Sequence, residues 1–223
     1  MEIQSIARSF VDLFFPRRCV GCQSVIPGSS ILCTECTSKL PFTHLKFDQE
    51  NESYQKLRNQ CNIESACSLL YFEHDNITQK LMHHLKYENH PEIGILLADK
   101  IFSMVKFESY DGIIPVPIHK NKLKKRGYNQ VMPFADRISE LGNIPLIDNY
   151  LFRKENNSSQ VHKSRIERTN SIQNAFEVQG QISGHYLLID DVLTTGSTIS
   201  TCVKLIQSKN PVKISVLTMA FAI

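Results

Sequence analysis

Tyr186-Leu187-Leu188-Ile189-Asp190-Asp191-Val192-Leu193-Thr194-Thr195-Gly196-Ser197-Thr198-Ile199-Ser200 decides how the rest of the chain is read. Leu187 to Ile189 is apolar without polar alternation, the pattern of a parallel strand buried on both faces. Ile199, Cys202, Val203 and Ile206 then fall at i, i+3, i+4 and i+7, one face of a helix. The segment reads as strand, loop and helix, with two carboxylates at the strand's carboxyl end. A helix N-terminus offers unpaired N–H groups and the positive end of the macrodipole, which suits a phosphate. Gly196 lets the loop backbone approach a ligand closely, and the hydroxyls of Thr194, Thr195, Ser197 and Thr198 add donors. Asp190 and Asp191 are poorly placed to hold a second anion, but can accept hydrogen bonds from a diol or help hold a metal. A sugar phosphate has both halves, so the pattern points to a ribose 5-phosphate site. The plainer alternative is a βα turn with a Ser/Thr helix cap.

The gap-free run Leu188–Thr198 resembles the phosphoribosyl-pyrophosphate (PRPP) loop of type I phosphoribosyltransferases. On that resemblance Leu193, Thr194, Thr195, Gly196, Ser197 and Thr198 bind the 5-phosphate, while Asp190 and Asp191 hold the ribose 2- and 3-hydroxyls. Mg²⁺ would then sit on the ribose hydroxyls and pyrophosphate.

The 223 residues suffice for one large domain, or for a core domain with a small added module. A net charge of +3 does not by itself argue for nucleic acid; where the charge lies matters more. No apolar run is long enough to span a bilayer, so no stable membrane insertion is expected. Residues 1–15 lack a basic n-region and a small-residue cleavage site, unlike a secretory signal. Residues 3–15 instead read as an amphipathic helix that docks on the body of the protein. Seven cysteines, four of them in Cys-x-x-Cys pairs, suit a reducing cytoplasm better than a disulfide framework.

Those pairs are Cys19/Cys22 and Cys33/Cys36. Two such hairpins can bring four thiolates around one tetrahedral ion, as a structural Zn²⁺ site requires, with no position left open for catalysis. Rubredoxin-like iron and a redox dithiol are the alternatives. The expected organisation is a four-cysteine zinc-ribbon module over residues 1–60, then an α/β domain over residues 61–223 with a parallel sheet flanked by helices. Residues 43–64 are polar and weakly patterned and read as a linker or irregular extension, and Cys61 and Cys67 as packing residues.

Further strands are predicted over 68–72, 112–117, 146–152, 176–178 and 212–220, and helices over 77–87, 91–105 and 131–141. The adjacent His83 and His84 cannot form an i, i+4 metal pair with each other and read as surface or rim residues. Lys120-Asn121-Lys122-Leu123-Lys124-Lys125-Arg126-Gly127-Tyr128-Asn129-Gln130 packs basic residues just after a strand. That is either a solvated helix face or an anion pocket at the strand ends, and the Gly-Tyr-Asn-Gln insert favours the pocket. A second basic segment, 153–170, carries Lys163, Arg165 and Arg168.

Together the cysteine module with Pro16, Leu85-Lys86-Tyr87, Pro115-Val116-Pro117, Arg126-Gly127-Tyr128-Asn129-Gln130, Gln160 with Lys163, Arg165 and Arg168, and the PRPP-like loop resemble the ComF (ComFC/GntX-like) family. That resemblance implies a type I phosphoribosyltransferase-like domain behind a zinc finger, associated with uptake of transforming DNA. Ser171 departs from the Asn expected there. As an enzyme the chain would transfer a phosphoribosyl group from PRPP, with Asp190, Asp191, Lys120, Arg126, Arg165 and Arg168 as catalytic candidates, to an acceptor the sequence does not announce. As a binding module it would hold a nucleotide or DNA phosphate. Lys124, Lys125, Arg126, Tyr128 and Lys163 would then contact single-stranded DNA, alongside a ComFA-like helicase or another competence protein.

Overall fold

The computed structural model describes residues 16–28, 30–44, 46–107, 109–154 and 175–223. The expected N-terminal helix, and Gln160, Lys163, Arg165, Arg168 and Ser171, lie outside the described residues. In chain order the elements are α1 (Thr34–Ser38), α2 (Glu52–Leu57), β1 (Ala66–Phe72), α3 (Ile77–Tyr87), α4 (Glu92–Met104) and β2 (Gly112–Pro115). There follow α5 (Lys120–Arg126), α6 (Met132–Gly142), β3 (Leu151–Arg153), β4 (Phe176–Val178), β5 (Gly184–Leu193), α7 (Ser197–Lys209) and β6 (Val212–Ala222).

Four strands form a wholly parallel sheet in the order β1-β6-β5-β2. Leu187 and Ile189 face one apolar cluster and Leu188 the other, which is why the strand reads as an unbroken apolar run. The first face packs against α3, α4 and α6 through Leu81, Leu85, Ile93, Leu97 and Phe134, all fully buried. The second packs against α7 through Ile199, Cys202, Val203 and Ile206. The helices that follow β2 and β5 thus lie on opposite faces, and between neighbouring strands this opens a crevice at their carboxyl ends.

The α/β architecture with a four-cysteine module at its N-terminus is the one expected from the sequence. Two local readings differ. Residues 43–64 are built into the fold rather than linking parts of it. Phe42 pairs with Leu70 in an antiparallel bridge and Asp48 with Ala66, covering the edge that β1 would leave open. Asn51 caps α2 by accepting a bond from Tyr54 N at 2.9 Å, and its amide donates to the Ala66 carbonyl at 2.7 Å. These ties are polar, so hydrophobic periodicity could not show them. The strand expected over residues 146–152 is also broken. Leu146 makes a single bridge to Ile113, the chain turns at residues 148–150, and β3 then pairs antiparallel with β4. Met104, the last residue of α4, is 47% exposed. Among the described residues no helix is long and apolar enough to cross a membrane.

Candidate functional site

β2 stops at Pro115, opposite Ile189, whereas β5 continues to Leu193. Asp190 and Asp191 therefore emerge just beyond the last β2–β5 pair, at the mouth of the crevice. The cleft there holds about 250 Å³. The acid pair and Thr194 and Thr198 form one wall, and Val116, Pro117 and Ile118 another. Lys86, Lys122, Arg126, Gln130 and Arg153 complete it. Four basic side chains thus surround two carboxylates, a field suited to an anionic ligand.

The carboxylates are not equivalent. Lys86 Nζ lies 2.7 Å from Asp191 Oδ2, and Gln130 Nε2 donates to the same oxygen at 2.9 Å. Burial alone would raise the Asp191 pKa, but the Lys86 charge and these hydrogen bonds outweigh it and hold the carboxyl below its usual range. Asp190 is 9% exposed, and its Oδ1 accepts from Asp191 N at 2.8 Å. Burial first, then the neighbouring Asp191 charge, pushes its pKa strongly up. One acid is ionised and paired; the other is held towards its neutral form.

The loop has the shape its sequence promised. Gly196 sits at φ +82°, a left-handed conformation that glycine adopts freely. α7 has no side-chain N-cap; Ser197 N makes only a long, 3.4 Å contact with Thr195 Oγ1. The plainer reading, a Ser/Thr-capped βα turn, is met only by that one contact, and the N-cap residue Gly196 adds no side-chain bond. Backbone and side chains of Asp190, Thr194, Gly196, Ser197 and Thr198 line a small recess beside the main cleft. The Leu193 side chain is buried, so only its backbone serves the loop.

From below, Gln60 Nε2 donates to the Thr195 carbonyl at 2.8 Å. A Cβ on residue 196 would come within 2.9 Å of both Gln60 Nε2 and Leu57 Cδ2. The segment read as a linker or irregular extension is thus the floor of the loop.

The basic helix α5 is capped by His119 Nδ1 and ends at Gly127, φ +82°. It brings Lys122 and Arg126 to the cleft, while Lys120, Lys124 and Lys125 are exposed and outside its lining. Arg126 donates to Gln130 Oε1 at 2.6 Å and lies over the Tyr87 ring, 5.2 Å from its centroid. Tyr128 turns inward: its hydroxyl donates to the Leu85 carbonyl and its ring packs on the core. The ring exposed at this rim is instead Tyr87, at 57%. Lys86 and Gln130 carried weak signals, each embedded in a family-like triplet or pentad. Arg153 stood at the start of the second basic segment, and Gln60 carried no signal.

In the N-terminal module the Sγ atoms of Cys19, Cys22, Cys33 and Cys36 all lie within 4.8 Å of one another. Cys33 N donates to Cys19 Sγ and Cys36 N to Cys33 Sγ, each at 3.3 Å. A Cβ at Gly21 would stand 2.7 Å from Cys36 Sγ, so the knuckle needs glycine. Lys80 Nζ donates to the Gly21 carbonyl at 3.0 Å and ties this knuckle to α3. The donor set fits a four-thiolate ion.

The fold and site define an α/β protein with a parallel sheet, an Asp-Asp pair and a Thr/Gly/Ser loop at its strand ends, and a four-cysteine N-terminal module. Residues 10–47 match the double zinc ribbon domain family. The chain is 28% identical over 153 residues to Competence protein F of Haemophilus influenzae, covering 64% of this chain and 67% of that protein. It is 24% identical over 201 residues to DNA utilization protein YhgH of Salmonella typhimurium, 84% of this chain and 83% of that one. To Competence protein ComFC of Bacillus subtilis it is 28% identical over 110 residues, 48% and 43% respectively. These relatives bear out the ComF-like reading of the sequence. Adenine phosphoribosyltransferase from Leishmania tarentolae overlaps 79% of the chain and 90% of its own at a TM-score of 0.37 and 12% identity. That likeness is loose.

Proposed function

We propose that the chain is a ComF-like competence protein whose cleft binds PRPP or a related ribose phosphate. The observation that carries this reading is the convergence of the loop amides and the Asp190/Asp191 pair on one cleft. Thr194 to Thr198 would take the 5-phosphate. The carboxylates would take the ribose diol, and Lys122, Arg126 and Arg153 a second phosphate group. Asp190 and Asp191 supply oxygen donors suited to Mg²⁺, whose role would be to neutralise pyrophosphate charge. Lys86 already neutralises Asp191, so Asp190 is the acid left for an ion or a hydroxyl to meet. The four thiolates would hold structural Zn²⁺ in the cytoplasm, where they stay reduced.

The relatives are named for competence and for DNA utilization, which supports a role in the handling of DNA. Single-stranded DNA along exposed Lys124 and Lys125, and a ComFA-like helicase or other competence protein, are the partners that role implies. Phosphoribosyl transfer to an acceptor is the second activity to assay, by pyrophosphate release.

The deciding experiment is a thermal-shift and calorimetric titration with PRPP, ribose 5-phosphate and inorganic phosphate, with and without Mg²⁺. Saturable stabilisation by PRPP that is lost in Asp190→Asn/Asp191→Asn supports the reading. No PRPP binding, or binding indifferent to both substitutions, would overturn it.

A further inference from the structure

We propose that His84, Glu88 and His90 form a second metal site, for a divalent first-row transition ion, at the carboxyl end of α3. The argument begins with how the chain turns there. α3 ends at Tyr87, and Glu88 closes it with its N–H on the His84 carbonyl at 3.0 Å. Asn89 adopts φ +55°, and this left-handed residue reverses the chain. His90 is thereby folded back over the last helical turn, its ring centroid 5.5 Å from that of His84. One ligand atom from each of the three residues lies within 4.8 Å of the other two. Donors around a tetrahedral ion stand roughly 3.4 Å apart, so side-chain rotation suffices to close the set.

The local bonding points the same way. His84 Nδ1 is shut off from solvent yet makes no hydrogen bond. Glu88 Oε2 approaches it to 2.8 Å, but off the N–H direction, while Oε1 reaches His83 Nδ1 at 3.3 Å. His90 Nδ1 pairs with Glu92 Oε1 at 2.7 Å. An Nδ1–H donated to Glu92 leaves the Nε2 lone pair for a metal, the carboxylate–imidazole arrangement that orients metal ligands. The negative end of the helix dipole adds attraction for a cation. Two imidazoles and one carboxylate select ions of the Zn²⁺, Fe²⁺ or Co²⁺ kind rather than Mg²⁺, which prefers oxygen alone.

The ligands bracket Leu85, Lys86 and Tyr87. An ion held here clamps the turn that carries Lys86 to Asp191, independently of what the cleft binds. The alternative is an ion-pair patch with no metal.

Full-length protein with its cysteine module zinc-loaded, freed of loosely held metal, is titrated with Co²⁺. One further equivalent is expected, with weak visible ligand-field bands and none of the intense sulfur-to-cobalt absorption that thiolate ligands give. Hydrogen exchange over residues 84–90 should slow on binding. His84→Ala and His90→Ala should each lose the equivalent, and His83→Ala should keep it, with unchanged circular dichroism as the folding control. No equivalent at millimolar Co²⁺, or one that survives His84→Ala/His90→Ala, overturns the proposal.

Discussion

Lys86 and Asp191 meet at 2.7 Å with their side chains only 22% and 13% exposed, so the ligand cleft contains its own cation before any ligand arrives. An ion pair this enclosed costs more to break than a surface one, because the partner left behind is a desolvated charge.

Lys86→Ala should therefore destabilise the fold by about 3 kcal/mol in urea unfolding. Adding Asp191→Asn should restore most of that loss, since no orphan charge remains. Equal losses in the single and double variants would show that the pair is not the cause.

Asp190 makes the opposite demand on pH. Its folded-state pKa, about 8, lies well above that of an aspartate in the unfolded chain. Between about pH 4 and 8 the folded state holds a proton that the unfolded state has lost, so stability falls as pH rises. Asp190→Asn should flatten that part of the profile. Asp191, shifted down, contributes stability that is lost only as pH falls below the usual carboxylate range. Melting temperatures from pH 2 to pH 9 would check both signs.

Gly196 and Gly180 share a left-handed backbone, φ +82° and +87°, but not surroundings. Nothing lies within 4 Å of a Cβ at Gly180, whereas one at Gly196 meets Gln60 and Leu57. Gly180→Ala should cost about 1 kcal/mol, from backbone conformation alone. Gly196→Ala should cost about 2–3 kcal/mol and also weaken phosphate binding. Denaturant midpoints and ribose 5-phosphate titrations separate the two effects.

The basic helix should divide by function. Lys122→Ala and Arg126→Ala, at the cleft, should each weaken PRPP binding about tenfold. Charge reversal of Lys124 and Lys125, outside it, should spare PRPP and remove any steep salt dependence of single-stranded DNA binding. Fluorescence anisotropy with a labelled oligonucleotide, run beside calorimetry with PRPP, gives both readouts.

Chelation of the ribbon ion should lower the melting temperature, because Cys19 and Cys36 are buried in the same apolar cluster as Leu81 and Leu85. A thiolate-competent chelator with and without zinc restoration checks this; an unchanged transition would mean that the module folds without metal.

What the sequence disclosed was periodic or chemical in a local way. Leu187–Ile189 and Ile199–Ile206 announced a strand and a helix, and the acid pair with its Thr/Gly/Ser loop announced the strand end where the cleft opens. Cys19 to Cys36 announced the ribbon. What stayed hidden depends on polar contacts between distant segments. Gln60 reaches Thr195 across 135 positions, and Gln130 reaches Asp191 across 61. His84 reads as a rim residue beside His83, whereas in the fold it lies against Glu88, one turn on, and His90, returned by Asn89. Tyr128 reads as a stacking ring until the Leu85 carbonyl is seen to take its hydroxyl.

Asn51, bonded to Ala66, and Gln60, bonded to Thr195, give the chain leaving the ribbon two footholds on the sheet half. A graft that trades this ribbon for a relative's at residue 42 would keep both footholds, whereas one joined at residue 64 would strip the anion loop of its underpinning. Chimaeras cut at those two points should consequently differ in ribose-phosphate affinity even when their cysteine modules are the same.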